Sequence, residues 1–305
     1  MSDQVRLDGG EFTMGSNRFY PEEGPPFRAR VDAFSIDTHL VTNAEYAAFV
    51  HATGYVTVAE RPLDPSAYPG AIPELLVPGA LVFQKTAGPV DLRDWTQWWN
   101  WTPGAHWRTP LGPGSTIDGL DDHPVVQVSF EDAEAYAAWA GKALATEAEW
   151  EYAARGGLED NDFTWGNEMD PQGRARANRW YGEFPWQRNG KSEYERTSPV
   201  GAFPANGFGL YDMAGNVWEW TADWYVAARE FEAASPCCDI PSPRSVAAHE
   251  TYDPRQPEIK IPRKVVKGGS HLCAPNYCLR FRPAARSPQM IDTAMSHLGF
   301  RCVRR

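Results

Sequence analysis

Residues 129–157, SFEDAEAYAAWAGKALATEAEWEYAARGG, hold two helix starts and two helix stops. Ser129 is followed three residues later by Asp132, and Thr146 by Glu149, so in each case hydroxyl and carboxylate can satisfy the first free backbone amides reciprocally. Ala133, Tyr136, Ala137 and Ala140 then share one face of the first helix, which stops at Gly141. The second helix is shorter and ends at Gly156 and Gly157. The same signal, Thr42 with Glu45, opens TNAEYAAFVHATG (42–54), where Tyr46, Phe49 and Val50 recur at helical spacing before Gly54. Short alternating runs read as strands: RARVDAFSID (28–37), PVVQVSF (124–130) and RKVVKGG (263–269). From about residue 157 to 260 regular periodicity almost vanishes. The pattern predicts an α+β protein, a single loop-rich domain over residues 1–305 with few, short helices and strands and no internal repeat.

Gly and Pro number 26 each among 305 residues and are not gathered into a low-complexity tract, so much of the chain is ordered loop. Thirteen Trp, 14 Phe and 12 Tyr lie along the same loops and supply buried area that regular elements do not. A net charge of -11 opposes sequence-independent binding of nucleic acid, which needs a basic surface. No segment offers about 18 uninterrupted apolar residues, and MSDQVRLDGGEFTMGS lacks the charged-then-apolar order of a signal peptide, so no membrane partner is expected. The cysteines are Cys237, Cys238, Cys273, Cys278 and Cys302, an odd set with one adjacent pair, unlike the framework of a small secreted scaffold. The expectation is a cytoplasmic protein.

The chemistry concentrates in VVKGGSHLCAPNYCLRFRPAARSPQ (265–289), where Cys273 and Cys278 stand five residues apart. They can form a disulfide if a turn brings them together. They can hold zinc if His271 and His297 complete the set. They can bind a soft ion, Cu(I), with Arg280, Arg282 and Arg286 favouring ionised sulfur. Spacing alone does not rank these. In GFGLYDMAGNVWEWTADWY (207–225), Asp212, Gly215, Asn216, Val217 and Glu219 place oxygen donors on one turn, which suits Ca²⁺. The competing reading is a Trp-rich core turn with Glu219 hydrogen-bonded to backbone.

Eight blocks now bear on identity: GGEFTMGS, ATGYVTVAE, HPVVQVSFEDAEAYAAWAGKAL, TEAEWEYAARGG, NGFGLYDMAGNVWEWTADW, KGGSHLC, PAARS and LGFRC. In these and in their order the chain resembles the formylglycine-generating enzymes of the sulfatase-modifying factor family. The resemblance implies a C-type-lectin-like fold and a copper-dependent oxidase. Such an enzyme uses O₂ and a thiol reductant to convert a cysteine, in a C-x-P-x-R-type motif of an unfolded sulfatase, to Cα-formylglycine. Cys273 and Cys278 match the two copper ligands, Ser270 and Trp218 the oxygen pocket, and Tyr277 the tyrosine before the second cysteine.

The resemblance further implies two structural Ca²⁺ sites. One matches Asp212, Gly215, Val217 and Glu219; the other matches Asn178, Arg179 and Tyr194, with Ser192 standing where relatives have Asp. For the substrate groove it points to Asp64 for the motif's arginine and to Trp98 or Trp99 for apolar contact. Ala154 and Pro283 stand where secreted relatives have disulfide cysteines, which leaves Cys302 as a lone buried thiol. Cys237 and Cys238 match no family role and read as a surface loop. A non-catalytic peptide-binding paralogue would lack one of the paired cysteines. A non-heme iron sulfoxide synthase would need a further helical domain with a His-rich motif, and the seven His here are scattered.

Overall fold

Each of the three capping pairs closes as its spacing dictates in the computed structural model, which describes residues 3–229 and 245–305. Helices α1 (Asn43–Thr53), α2 (Phe130–Trp139) and α3 (Glu147–Arg155) all begin with the hydroxyl accepting from the third backbone amide and the acid accepting from the cap's own amide. Left-handed Gly54 and Gly156, at φ 67° and 58°, end α1 and α3. Helix α2 ends at Ala140, with Gly141 left-handed just beyond it.

Twelve short strands complete the described residues: β1 (Gln4–Leu7), β2 (Gly10–Met14), β3 (Phe27–Val31), β4 (Phe34–Asp37), β5 (Gly79–Phe83), β6 (Trp99–Pro103), β7 (Ala143–Leu144), β8 (Trp218–Trp224), β9 (Arg263–Lys267), β10 (Arg286–Met290), β11 (Leu298–Gly299) and β12 (Cys302–Arg304). One sheet has the order β1-β4-β12-β7, so the two ends of the chain share it, with Val303 opposite Ile36. A second has the order β10-β9-β8-β11, and β2-β3 and β5-β6 form separate ribbons. The expected mixed α+β class with few, short elements is what the chain adopts. Among the described residues no helix is long and apolar enough to cross a membrane.

The 263–269 run holds as β9. The 28–37 run divides at Asp32 and Ala33 into β3, which pairs with β2, and β4, which pairs with β1. The 124–130 run is not a strand: all seven residues are buried, Gln127 takes a positive φ of 61°, and its amides go to separate segments at Val41, Met295 and Ile291. Strand β8 escaped sequence reading because its first four residues are all buried, which erases the alternation of a half-buried strand. Cys237 and Cys238 lie outside the described residues.

Aromatic rings do fill the core. Tyr46 lies 5.3 Å from Phe49, 5.3 Å from Trp107 and 5.9 Å from Tyr136, joining α1 to α2. The face of α3 is different, because it buries acids. Arg286 grips Glu147 with both nitrogens at 2.8 and 3.0 Å, and Arg229 joins at 2.9 Å. Glu151 takes Lys267 at 3.0 Å and Arg155 at 2.6 Å. Arg282 forks onto Glu23 in the same buried layer. These pairs tie β9, β10, α3 and the N-terminal segment together.

Burial alone would raise the Glu147 carboxyl, but Arg286, Arg229 and Lys267 overcome it and hold the group well below its ordinary 4.5. A depressed folded-state pKa contributes stability that is complete above the unfolded value and is lost as pH falls toward the folded one. Glu147→Gln leaves the arginines uncompensated and should cost about 3–5 kcal/mol in chemical denaturation at neutral pH. It should also flatten the acid limb of the Tm profile between about pH 5 and pH 3. An acid limb identical to wild type contradicts the assignment.

Candidate functional site

The site grows out of β9. Gly268 and Gly269 follow it with φ 89° and 70°, and a Cβ on Gly269 would sit 2.9 Å from the backbone of Arg280 and Phe281. Only glycine allows the chain to pass that close to its own return leg. The Cys273 amide then donates to Ser270 O at 2.9 Å, and the Tyr277 and Cys278 amides both donate to Ala274 O, at 3.0 and 2.7 Å. This single tight turn sets Cys273 Sγ 3.2 Å from Cys278 Sγ, both buried and both free thiols. The disulfide reading therefore gives way to two facing, unlinked sulfurs.

The pair is electrostatically lopsided. Burial pushes the Cys273 thiol well above its ordinary value, reinforced by its role as donor to Cys278. That donated hydrogen bond, together with the charge of Arg280, lowers Cys278 to about 7. As pH rises past about 7, one proton is thus shared by two sulfurs, with the negative charge favoured on Cys278. Arg280 is fixed by an ion pair to Glu22 at 2.7 Å and by lying 3.9 Å over the Tyr20 ring, while Tyr20 Oη accepts from the Leu279 amide. The Ser270 amide points at Cys273 Sγ, at 3.4 Å.

Trp218 belongs to the same buried apolar cluster as both cysteines. Tyr277 is 37% exposed, stacked on Phe184 at 4.5 Å and edge-on to Trp98 at 5.4 Å, so an aromatic shelf adjoins the sulfurs. Trp98 itself has no exposed surface, which corrects its expected contact with a peptide: it supports the shelf from beneath. Trp99 is partly exposed and meets the His297 ring at 4.7 Å. Asp64 is exposed on a short turn, where its carboxylate caps Ser66.

The oxygen donors of the 207–225 stretch do share one turn, with Asp212 and Asn216 left-handed at φ 56° and 59°. Asp212 accepts from the Gly201 amide at 2.8 Å, and burial raises its carboxyl to about 6. Glu219 bonds to side chains, not to backbone. Its Oε2 accepts from Arg301 at 2.7 Å and Trp150 at 2.9 Å, and its Oε1 accepts from Arg301 at 2.9 Å. With two lone pairs per oxygen, this leaves Glu219 one, on Oε1, for a cation.

At the other expected site, Asn178 Oδ1 is a buried acceptor with no hydrogen-bond partner among the described residues, which suits a hard cation. The Arg179 side chain pairs with Asp170 at 2.7 Å, and Tyr194 O accepts from Arg188 at 2.9 Å. Among the described residues no group of three or more His, Cys, Asp or Glu could hold a metal, so the four-ligand zinc set is not assembled.

Sequence reading missed His297 as a partner of Ser270: its Nδ1 lies 3.0 Å from Ser270 Oγ. It also missed Tyr20 and Glu22 behind Arg280. No local signal joins residues so far apart in the chain. Cys302, expected to be a lone buried thiol, is buried and free.

Comparison with known proteins agrees along the whole length. Residues 1–305 match the sulfatase-modifying factor enzyme 1-like domain. The chain is 55% identical over 303 residues to a formylglycine-generating enzyme of Mycobacterium tuberculosis, covering 99% of this chain and 98% of that one. It is 46% identical to another from Thermomonospora curvata, covering 98% and 92%. Among solved structures, PvdO from Pseudomonas aeruginosa superposes with a TM-score of 0.63 at 26% identity, covering 100% and 94% of the two chains.

Metal-free reduced protein should show thiolate absorbance rising with a midpoint near pH 7, from Cys278. Cys273→Ala removes the donor and Arg280→Met the charge, so each should move the midpoint upward. Unchanged midpoints in both variants contradict a shared proton.

Proposed function

The chain belongs to the sulfatase-modifying factor enzyme 1-like family, and from that membership we propose that it oxidises one cysteine of an unfolded sulfatase to Cα-formylglycine with O₂. The observation that carries this reading is the buried pair of unlinked sulfurs beside an aromatic shelf. The residue acted on lies in a C-x-P-x-R-type motif, and an extended peptide can reach the sulfurs along the exposed edge of Tyr277. Loss of the thiol hydrogen and one Cβ hydrogen, with their electrons passing to O₂, makes a thioaldehyde. A thiol reductant supplies the two further electrons that take O₂ to two waters, itself becoming a disulfide, and water converts the thioaldehyde to the aldehyde and sulfide.

Two facing thiols fit Cu(I), and the bound ion would supply a soft position for the substrate thiolate and electron transfer to O₂. The remaining work falls to the chain. Cys278 already carries negative charge near neutral pH, so only the shared proton must leave when a metal enters. Burial of both cysteines keeps bulk water from the sulfurs. The Ser270 amide fixes Cys273, and Trp218 closes the apolar wall. We further propose structural Ca²⁺ at the Asn178 and Asp212 turns, supported by the orphaned Asn178 Oδ1 and by the high pKa of an unneutralised Asp212. A reducing cytoplasm suits a site that works only as free thiols.

Incubation of copper-loaded protein with a C-x-P-x-R peptide under O₂ should convert its cysteine to formylglycine, read by mass. Cys273→Ser and Cys278→Ser should each abolish turnover with the fold retained, because half of a two-thiolate site does not hold Cu(I). Full activity with Fe²⁺ alone, or wild-type rates in either variant, rejects the copper reading. Calcium is tested separately: elemental analysis should find Ca²⁺ in purified protein, and chelation should lower Tm.

A further inference from the structure

Ser270 and His297 form a second pair behind the sulfurs. Ser270 has no exposed surface, whereas His297 is partly exposed, so the two side chains together run from the buried sulfur site toward solvent. The hydrogen bonds around Ser270 are almost fully determined. Its amide points at Cys273 Sγ, its carbonyl accepts from the Cys273 amide, and its Oγ accepts from the Leu272 amide at 3.2 Å. One hydroxyl proton remains, and His297 Nδ1 lies 3.0 Å away, where a ring protonated on Nε2 would accept it.

The backbone holds the ring in place. His297 O accepts from the Trp218 amide at 2.8 Å, Leu298 pairs with Trp218 in β11, and the edge of the ring meets Trp99. Burial of most of the imidazole lowers its pKa far below the ordinary value and keeps it neutral. His271, the titratable group on the same loop, is buried, kept neutral, and bonded through Nδ1 to Asn216 O. A neutral His297 that accepts at Nδ1 must carry its proton on Nε2.

We propose that His297 is a positioning residue which orients the Ser270 hydroxyl and carries off the proton that an incoming substrate thiol must lose at the sulfur pair. The transfer balances. The thiol S–H proton passes to Ser270 Oγ as the Ser270 proton passes to His297 Nδ1, and the Nε2 proton passes to water. The substrate sulfur is left as thiolate, and no charged imidazolium or alkoxide persists. This rests on the cysteine-oxidising reading above only for its substrate; the pairing and its tautomer do not depend on it.

Two measurements test it. In metal-free protein at pH 7, ¹⁵N NMR of labelled imidazole should show His297 Nδ1 bare and Nε2 protonated, with Nδ1 shifting in Ser270→Ala. A protonated Nδ1 overturns the proposal whatever the enzyme does. The second compares copper-loaded wild type, His297→Phe, His297→Asn, Ser270→Ala and the His297→Phe/Ser270→Ala double variant on a C-x-P-x-R peptide. His297→Phe should lose on the order of a hundredfold in rate near pH 7. It should recover as pH rises past about 8.5, where the peptide thiol ionises unaided.

The double variant should be no worse than Ser270→Ala, and His297→Asn, which offers an acceptor but no relay, should behave like His297→Phe. Copper affinity, measured by chelator competition, should match wild type throughout. A deficit independent of pH, a multiplicative double variant, a wild-type pH profile in His297→Asn, or weakened copper binding each overturns the proposal. An inactive wild type beside a bare Nδ1 instead rejects the substrate reading.

Discussion

The Glu147 carboxylate is buried where three distant stretches of chain meet, and the rest of the structure is arranged to keep it ionised there. A lone charge in such a place would cost several kcal/mol, so its retention requires Arg286 from β10, Arg229 after β8 and Lys267 at the end of β9 to arrive together. The same layer contains Glu151 with Lys267 and Arg155, and Glu23 with Arg282. A loop-rich chain with short strands has few backbone ladders to fix its register. Forked arginine–carboxylate pairs fix it by geometry, because only one placement of each planar guanidinium satisfies both oxygens.

That layer also aims the site. Lys267 and Arg282 stand on either side of the sulfur-bearing loop, and their buried partners hold its two ends. Between those ends Gly268 packs on Trp150, Gly269 lets the chain double back against Arg280 and Phe281, and the turn on Ala274 O closes the distance between the sulfurs. The anchored neighbour Arg280 then decides which sulfur carries the charge, since it sits beside Cys278 and Tyr20 and Glu22 prevent it from swinging away. Packing and electrostatics are therefore one arrangement here: the ion pairs that set the fold also set the protonation of the thiols.

The Glu219–Arg301 pair shows the same principle at the Gly- and Asn-rich turn before β8. Glu219 is the second residue of strand β8 and Arg301 lies just before β12, so the pair joins the two four-stranded sheets, with Trp150 of α3 as third member. A carboxylate that looked like a free oxygen donor in a Gly- and Asn-rich turn is mostly committed to holding sheets together. Asp212, six residues before strand β8 begins at Trp218, has no cationic side chain bonded to it among the described residues, and its raised pKa records that burial.

The sequence by itself determined the features that depend on near neighbours. The three helices were legible because capping pairs, apolar spacing and terminal glycines all act within four residues, and the blocks around Cys273, Cys278 and Trp218 were sufficient to show the resemblance. Tertiary structure alone decided the rest. The 124–130 run looked like a strand until its amides were claimed by Val41 on one side and by the 291–295 loop on the other. Trp98 looked like a groove residue until Phe184 and Tyr277 covered it, and Glu219 looked like a free carboxylate until Arg301 and Trp150 took most of its lone pairs. His297 looked only like a candidate zinc ligand until β11 set it beside Trp218 and Ser270. In each case the deciding partner lies tens to hundreds of residues away, and burial makes that partner obligatory: a polar group removed from water must be satisfied by whatever the fold delivers, which no local pattern encodes.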